Sequence, residues 1–144
     1  MANPWGRRLF VTGAVVLLIL GAVHSLSFIN PLAPSNPTEK QLLDLMENYK
    51  FDLTGTMRSM GSLFEGFSIS FMLTSFVVGA LDLAVSRERL GLLKRMALVN
   101  VLWLLAMLAV SLRYFFPVPT AFITFTLVIF VAAWAGMPKE TAEG

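Results

Sequence analysis

The chain has 144 residues, of which 56% are hydrophobic and 14% charged, with a net charge of +2 and a mean hydropathy of +0.73. Soluble domains carry about 25% charged residues, so a soluble core is excluded at this length and a single membrane domain, residues 1–144, is expected. The lack of cysteine excludes disulfides, thiolate catalysis and cysteine-ligated metal sites.

The first apolar run spans residues 9–29, with Arg7 and Arg8 just before it. About 20 apolar residues cross the ~30 Å hydrocarbon core of a bilayer. In lipid the backbone must satisfy its own hydrogen bonds, so the run is predicted to be a helix. It is longer than the core of a signal peptide, about 7–15 residues, and no A-x-A site follows. Arg7-Arg8-Leu9-Phe10 faintly resembles a twin-arginine export signal, but we read the arginines as cytoplasmic anchors of a membrane helix. His24 shares a helical face with Gly13, Leu17, Gly21 and Phe28, and the glycines mark that face for close helix packing.

Residues 30–60 change character. Asn30-Pro31-Leu32-Ala33-Pro34 reads as turn and extended chain, because proline cannot continue a helix and restricts its predecessor. Asn36 is then a predicted N-cap, Pro37 the first helical residue and Glu39 the closing member of a capping-box pattern. Leu42, Leu45, Met46 and Tyr49 recur at helical spacing, with Glu39, Lys40, Asp44, Glu47 and Lys50 opposite. This predicts a short amphipathic helix of about three turns. It would lie in the membrane interface or close over the bundle as a lid. Its mixed, slightly acidic polar face favours packing on protein, because interfacial helices are usually basic on that side.

The second run covers residues 61–83. Ser62, Gly66, Ser70 and Thr74 recur every four residues and predict a helix-contact stripe, with Glu65 beside it. Asp82, closing the run, and Asn100 in the third run form a second polar pair near the cytoplasmic side, expected to satisfy the turn and the basic loop that carries Arg87, Arg89, Lys94 and Arg95. The third run, residues 96–116, places Asn100 with Trp103 and Met107 on a face suited to lipid or a partner subunit. Arg113 shares a face with Ala106 and Ala109 and is expected to point inward. Pro117-Val118-Pro119 is a turn short enough to force the fourth run, residues 119–136, antiparallel to the third.

The expected architecture is therefore all-α: an integral membrane up-down four-helix bundle with a short amphipathic extracytoplasmic helix between the first two spans. Arg7, Arg8, Arg87, Arg89, Lys94, Arg95 and Lys139 fall on one side; Lys40, Lys50, Arg58 and Arg113 fall on the other. By the positive-inside rule both termini are cytoplasmic, in an inner membrane.

Threaded this way, His24, Glu65 and Arg113 all come to lie about 5–8 Å from the outer boundary at 1.5 Å per helical residue, with Arg58 just above. Ionisable groups at that depth need partners or a use. One reading is structural: a Glu65–Arg113 ion pair with His24 beside it, or an arginine reaching to the headgroups. The other is a small polar pocket in which His24, Glu65, Arg58 and Arg113 contact the polar end of a lipid or quinone-like molecule. One histidine cannot assemble a catalytic zinc site, no haem pairing is specified, and no hydrolase or phosphate-loop motif occurs. No metal, cofactor or catalytic residue is assigned. The basic loop is expected to contact anionic lipid rather than nucleic acid.

The stretch Gly55-Thr56-Met57-Arg58-Ser59-Met60-Gly61-Ser62-Leu63-Phe64-Glu65-Gly66-Phe67-Ser68, with Gly21-Ala22-Val23-His24 upstream, resembles a family of small, functionally uncharacterised bacterial four-helix membrane proteins, distantly DoxX-like. The resemblance covers the first two spans and the segment between them. It departs at Gly61, where those proteins often carry an aromatic. It implies a fold and a membrane address but no activity. The functional expectation is non-enzymatic binding of a small amphipathic ligand or lipid. The alternatives are an accessory subunit contacting a membrane protein partner, and an isomerase or hydrolase using His24 and Glu65 as acid and base.

Overall fold

A computed structural model describes residues 5–29 and 33–138. Residues 30–32 and Lys139, on which parts of the sequence reading rest, lie outside the described residues. The elements in order are α1 (Trp5–Ile29), α2 (Pro37–Asn48), β1 (Lys50–Leu53), β2 (Thr56–Ser59), α3 (Met60–Ala84), α4 (Leu90–Tyr114) and α5 (Pro117–Gly136). Four of these helices, α1, α3, α4 and α5, are long and apolar enough to cross a membrane, so the chain is a multi-pass membrane protein.

Two compact units divide the described residues, one running up to Leu20 and from Ser75 onward, the other Gly21–Thr74. In the first unit, segments of all four long helices surround one core built from Phe10, Leu17, Leu93, Leu104, Ile123 and Phe130. Phe10 and Phe130 meet edge to face, with ring centroids 5.8 Å apart. Close approach depends on missing side chains. A Cβ at Gly13 would lie 2.8 Å from the Phe130 ring, and one at Gly79 would lie 2.9 Å from the Ala14 carbonyl oxygen. Gly13 thus serves the packing face expected of it.

Alternation of direction is visible in the end contacts of this unit. The Arg7 guanidinium, in the first turns of α1, donates to the carbonyls of Ser86 and Glu88 just beyond the end of α3. Lys94, in the second turn of α4, donates to the Met137 carbonyl at 2.6 Å and lies over the Trp134 ring. Both cations meet unsatisfied carbonyls where helix dipoles leave negative charge. At the opposite end of α4, Ser111 and Thr120 share a 2.7 Å hydrogen bond across to α5.

Helix limits depart from the sequence reading at several places, and α1 begins at Trp5 rather than residue 9, so Arg7 and Arg8 lie inside it. The α4 helix begins at Leu90 rather than residue 96, because Lys94 is absorbed into the helix by its contact with the end of α5. The α4–α5 turn is Phe115-Phe116, and α5 opens on Pro117. Proline is tolerated in a first helical turn, where its missing N–H leaves no bond unmade.

In the second unit α2 is capped as the sequence implies. Asn36 accepts from the Glu39 N–H at 2.8 Å and Pro37 opens the helix. The Glu39 carboxylate reaches back to Ser35, accepting from its hydroxyl and from its N–H. These bonds hold the Glu39 carboxyl below the usual glutamate range. The helix ends at Asn48, so Lys50 belongs to β1 and not to the helix.

A hairpin then forms that the sequence reading did not foresee. β1 and β2 pair antiparallel, Lys50 opposite Ser59 and Leu53 opposite Thr56. Both turn residues, Thr54 and Gly55, have positive φ, the twist a two-residue hairpin requires. The Asp52 carboxylate accepts from the Gly55 N–H at 2.7 Å and fixes the turn. No linker separates the hairpin from α3. Buried Ser59 accepts from the Ser62 N–H, and the Ser62 hydroxyl donates back to the Ser59 carbonyl.

Candidate functional site

The four residues predicted to form a polar pocket fall in both units. His24, Arg58 and Glu65 belong to the second, Arg113 to the first. Each is described in its own surroundings.

His24 is partly buried near the end of α1. Its imidazole packs edge-on against Phe71 of α3, centroids 5.1 Å apart, and the Ser68 backbone is its hydrogen-bond partner. Those two contacts lie one turn apart on α3 and define how α1 and α3 meet in this unit. Glu65 sits on the turn before Ser68, but its side chain is exposed and makes no hydrogen bond or ion pair with a described residue. Arg58 is also exposed, on β2, and donates only to the neighbouring Met57 carbonyl at 3.0 Å. The inward aim expected of Glu65 is not found.

The cause lies in the choice of face on α3. Ser62, Gly66, Ser70 and Thr74, expected at a helix contact, are exposed, and a Cβ at Gly66 would have nothing within 4 Å. The Ser70 and Thr74 hydroxyls turn back to carbonyls one turn earlier on their own helix. The buried face is the next one round, through Ser75, Gly79 and Asp82. Glu65 is exposed as well.

Arg113 also points outward, as do Ala106 and Ala109 on its face. It stands in the last turn of α4, where a cation complements the helix dipole, and lies 5.8 Å from the Tyr114 ring. A groove of about 680 Å³ opens between the end of α4 and the start of α5, and Arg113 is not among the residues that line it. Leu112, Phe115, Thr120, Ala121, Thr124 and Phe125 line it. Its walls are mainly apolar. The hydroxyls of Thr120 and Thr124 are occupied by Ser111 and by the α5 backbone. An apolar trough of this kind can cover a chain or ring.

Sequence reasoning missed the groove because none of its walls is a chemically distinctive residue. The signal was the pair of prolines beside aromatic Phe115 and Phe116, which fixes a tight α4–α5 junction with bulky lips. A second correction concerns Asn100. Its predicted outward face is wrong: Asn100 is buried and donates to the Asp82 carboxylate at 2.7 Å. Asp82 is fully buried as well, and its other oxygen makes no hydrogen bond with a described residue. The pair therefore ties α3 to α4 internally rather than serving the loop.

Among the described residues no cluster of three histidine, aspartate or glutamate side chains has the arrangement to hold a metal ion. No family model, curated protein or solved structure matches the chain.

Proposed function

We propose that this membrane protein binds an amphipathic lipid or quinone-like molecule without transforming it, in the groove between α4 and α5. The observation that carries the reading is an apolar trough lined by Leu112, Phe115 and Phe125, with exposed Arg113 next to Leu112 in the sequence. In a bilayer this trough faces acyl chains, while Arg113, next to the end of its helix, reaches the headgroup level. Basic Arg7 and Lys94 lie at the other end of the same unit, with Arg87 and Arg89 between α3 and α4; this supports cytoplasmic termini and, with them, a groove in the outer leaflet of a bacterial inner membrane. The test is native mass spectrometry of the protein released from mild detergent. A retained lipid or quinone adduct is expected, and Ala121→Trp, which fills the trough from an exposed position, should remove it. Equal retention by wild type and variant would refute the assignment.

A second reading is an accessory subunit of a larger membrane complex. The outward stripe Ser62, Gly66, Ser70 and Thr74 supports it, since small residues let a foreign helix approach closely. Because the chain has no cysteine, Ser70→Cys gives a single reactive site. Disulfide or bifunctional crosslinking in membranes to one stoichiometric partner would support this reading, and only monomer would count against it.

A further inference from the structure

Three features outside the groove invite explanation: the buried Asp82–Asn100 pair, the small-residue stripe of α3 and the exposed apolar face of α2. The first is an internal tie between α3 and α4 that opens on no cavity described above, and the second names no occupant by itself. The third is tethered to a defined surface.

Leu42, Leu45 and Tyr49 follow one another at helical spacing along α2 and its C-cap, and their side chains are 56%, 60% and 66% exposed. No residue of α2 is buried. Leu43 and Met46, on the adjoining face, are only partly exposed. The Met46 backbone presses on the first turn of α3, where a Cβ at Gly61 would lie 3.1 Å from the Met46 carbonyl oxygen. An aromatic at Gly61, as in the proteins this segment resembles, would require α2 to move away. So α2 leans on its own unit with one apolar edge and leaves another uncovered.

The position of that uncovered edge follows from the spans. α1 and α3 flank the segment, so residues 33–59 are held at the membrane face where both emerge. α3 has 25 residues, about 37 Å at 1.5 Å each, against a hydrocarbon core of about 30 Å. Its first turn therefore stands in the headgroup zone. The contact between Met46 and Gly61 puts the end of α2 at that same level. Tyrosine, with an apolar ring and a polar tip, is favoured there. The opposite face, with Lys40, Asp44 and Glu47, stays toward water.

We infer that α2 lies in the headgroup–acyl boundary of the membrane that the long helices cross, seated on Leu42, Leu45 and Tyr49. With Glu39, Asp44 and Glu47 against Lys40, its polar face attracts no anionic lipid, so burial of apolar area is the driving force and zwitterionic lipid suffices. This seat does not depend on the α4–α5 groove.

The test uses the cysteine-free chain, reconstituted whole in phosphatidylcholine nanodiscs, with a spin label on Leu45→Cys or on Asp44→Cys. Both positions are exposed, so neither label disturbs a core. The label at 45 should collide with dissolved oxygen several-fold more, relative to a water-soluble nickel chelate, than the label at 44. Equal, chelate-dominated accessibility at both positions would overturn the seat by showing α2 in water. Low accessibility of the label at 45 to both reagents would overturn it too, by showing a protein cover, and dipolar broadening between labels would then identify a second copy. Leu45→Trp in a chain whose Trp5, Trp103 and Trp134 are replaced by phenylalanine gives an independent optical check: its fluorescence should be quenched by brominated phosphatidylcholine, and undiminished emission would contradict the assignment.

Discussion

The Asn100 carboxamide donates to the Asp82 carboxylate across 2.7 Å, and both side chains are buried between α3 and α4. A hydrogen bond to a carboxyl group in such a place matters less for what it adds than for what its removal leaves behind. Asn100→Leu should destabilise the protein by about 2–3 kcal/mol, because both carboxyl oxygens would then be buried without a partner. Replacing both residues, Asp82→Leu with Asn100→Leu, should recover most of that loss, since two apolar groups need no partner. Chemical unfolding in detergent of the two single variants and the double variant checks this. Strictly additive losses would show that the two side chains do not act together.

Gly66 and Gly79 on α3 separate the exposed face from the buried one. Gly79→Ala places a methyl group 2.9 Å from the Ala14 backbone oxygen and against Leu18, and overpacking of this kind costs about 1–3 kcal/mol. Gly66→Ala meets nothing within 4 Å and should be neutral to slightly stabilising, because alanine is the better helix former. Thermal melts of the two variants should therefore move in different directions. A loss at Gly66 matching that at Gly79 would mean that the exposed stripe is covered in the folded protein.

The start of α2 should respond to acid. Ser35 donates to the Glu39 carboxylate through its hydroxyl and its N–H, which lowers the Glu39 pKa from the ordinary value of 4.5. A carboxyl group with a depressed pKa contributes stability above its unfolded value and loses it as pH falls through the folded one. Hydrogen exchange at the Ser35 and Glu39 amides should thus stay slow around and above pH 4.5 and speed up below it, beyond the intrinsic pH trend. Glu39→Gln should abolish that acid-dependent step. Its persistence in the variant would assign the transition to another group.

Much of this architecture is written in run lengths. Four stretches near the length of a bilayer crossing announce four helices, and Asn36-Pro37 with Glu39 announces the start of α2. Facing is harder to read. In a soluble helix the buried side is the apolar side, but α3 is apolar nearly all round, and lipid accepts what a core accepts. Ser62-Gly66-Ser70-Thr74 and Ser75-Gly79-Asp82 are neighbouring stripes of similar composition, and only the second is buried. The informative member was Asp82, whose carboxyl group needs a donor such as Asn100 on an adjacent helix. The hairpin escaped notice because its strands have four residues each, too short for alternation to register, and only Thr54-Gly55 marked the turn. The groove at the α4–α5 junction lies where α4 stops, a boundary two residues short of the predicted one.

The claim that an amphipathic molecule occupies the α4–α5 trough is tested most directly by photolabelling in membranes. A phospholipid with a diazirine in its acyl chain would be activated in the reconstituted protein and the modified peptides mapped. The account predicts labels concentrated on residues 112–125, around Leu112, Thr124 and Phe125, and lost from that stretch in Ala121→Trp. Labels spread evenly over the outward faces of all four long helices, unchanged by the substitution, would contradict it.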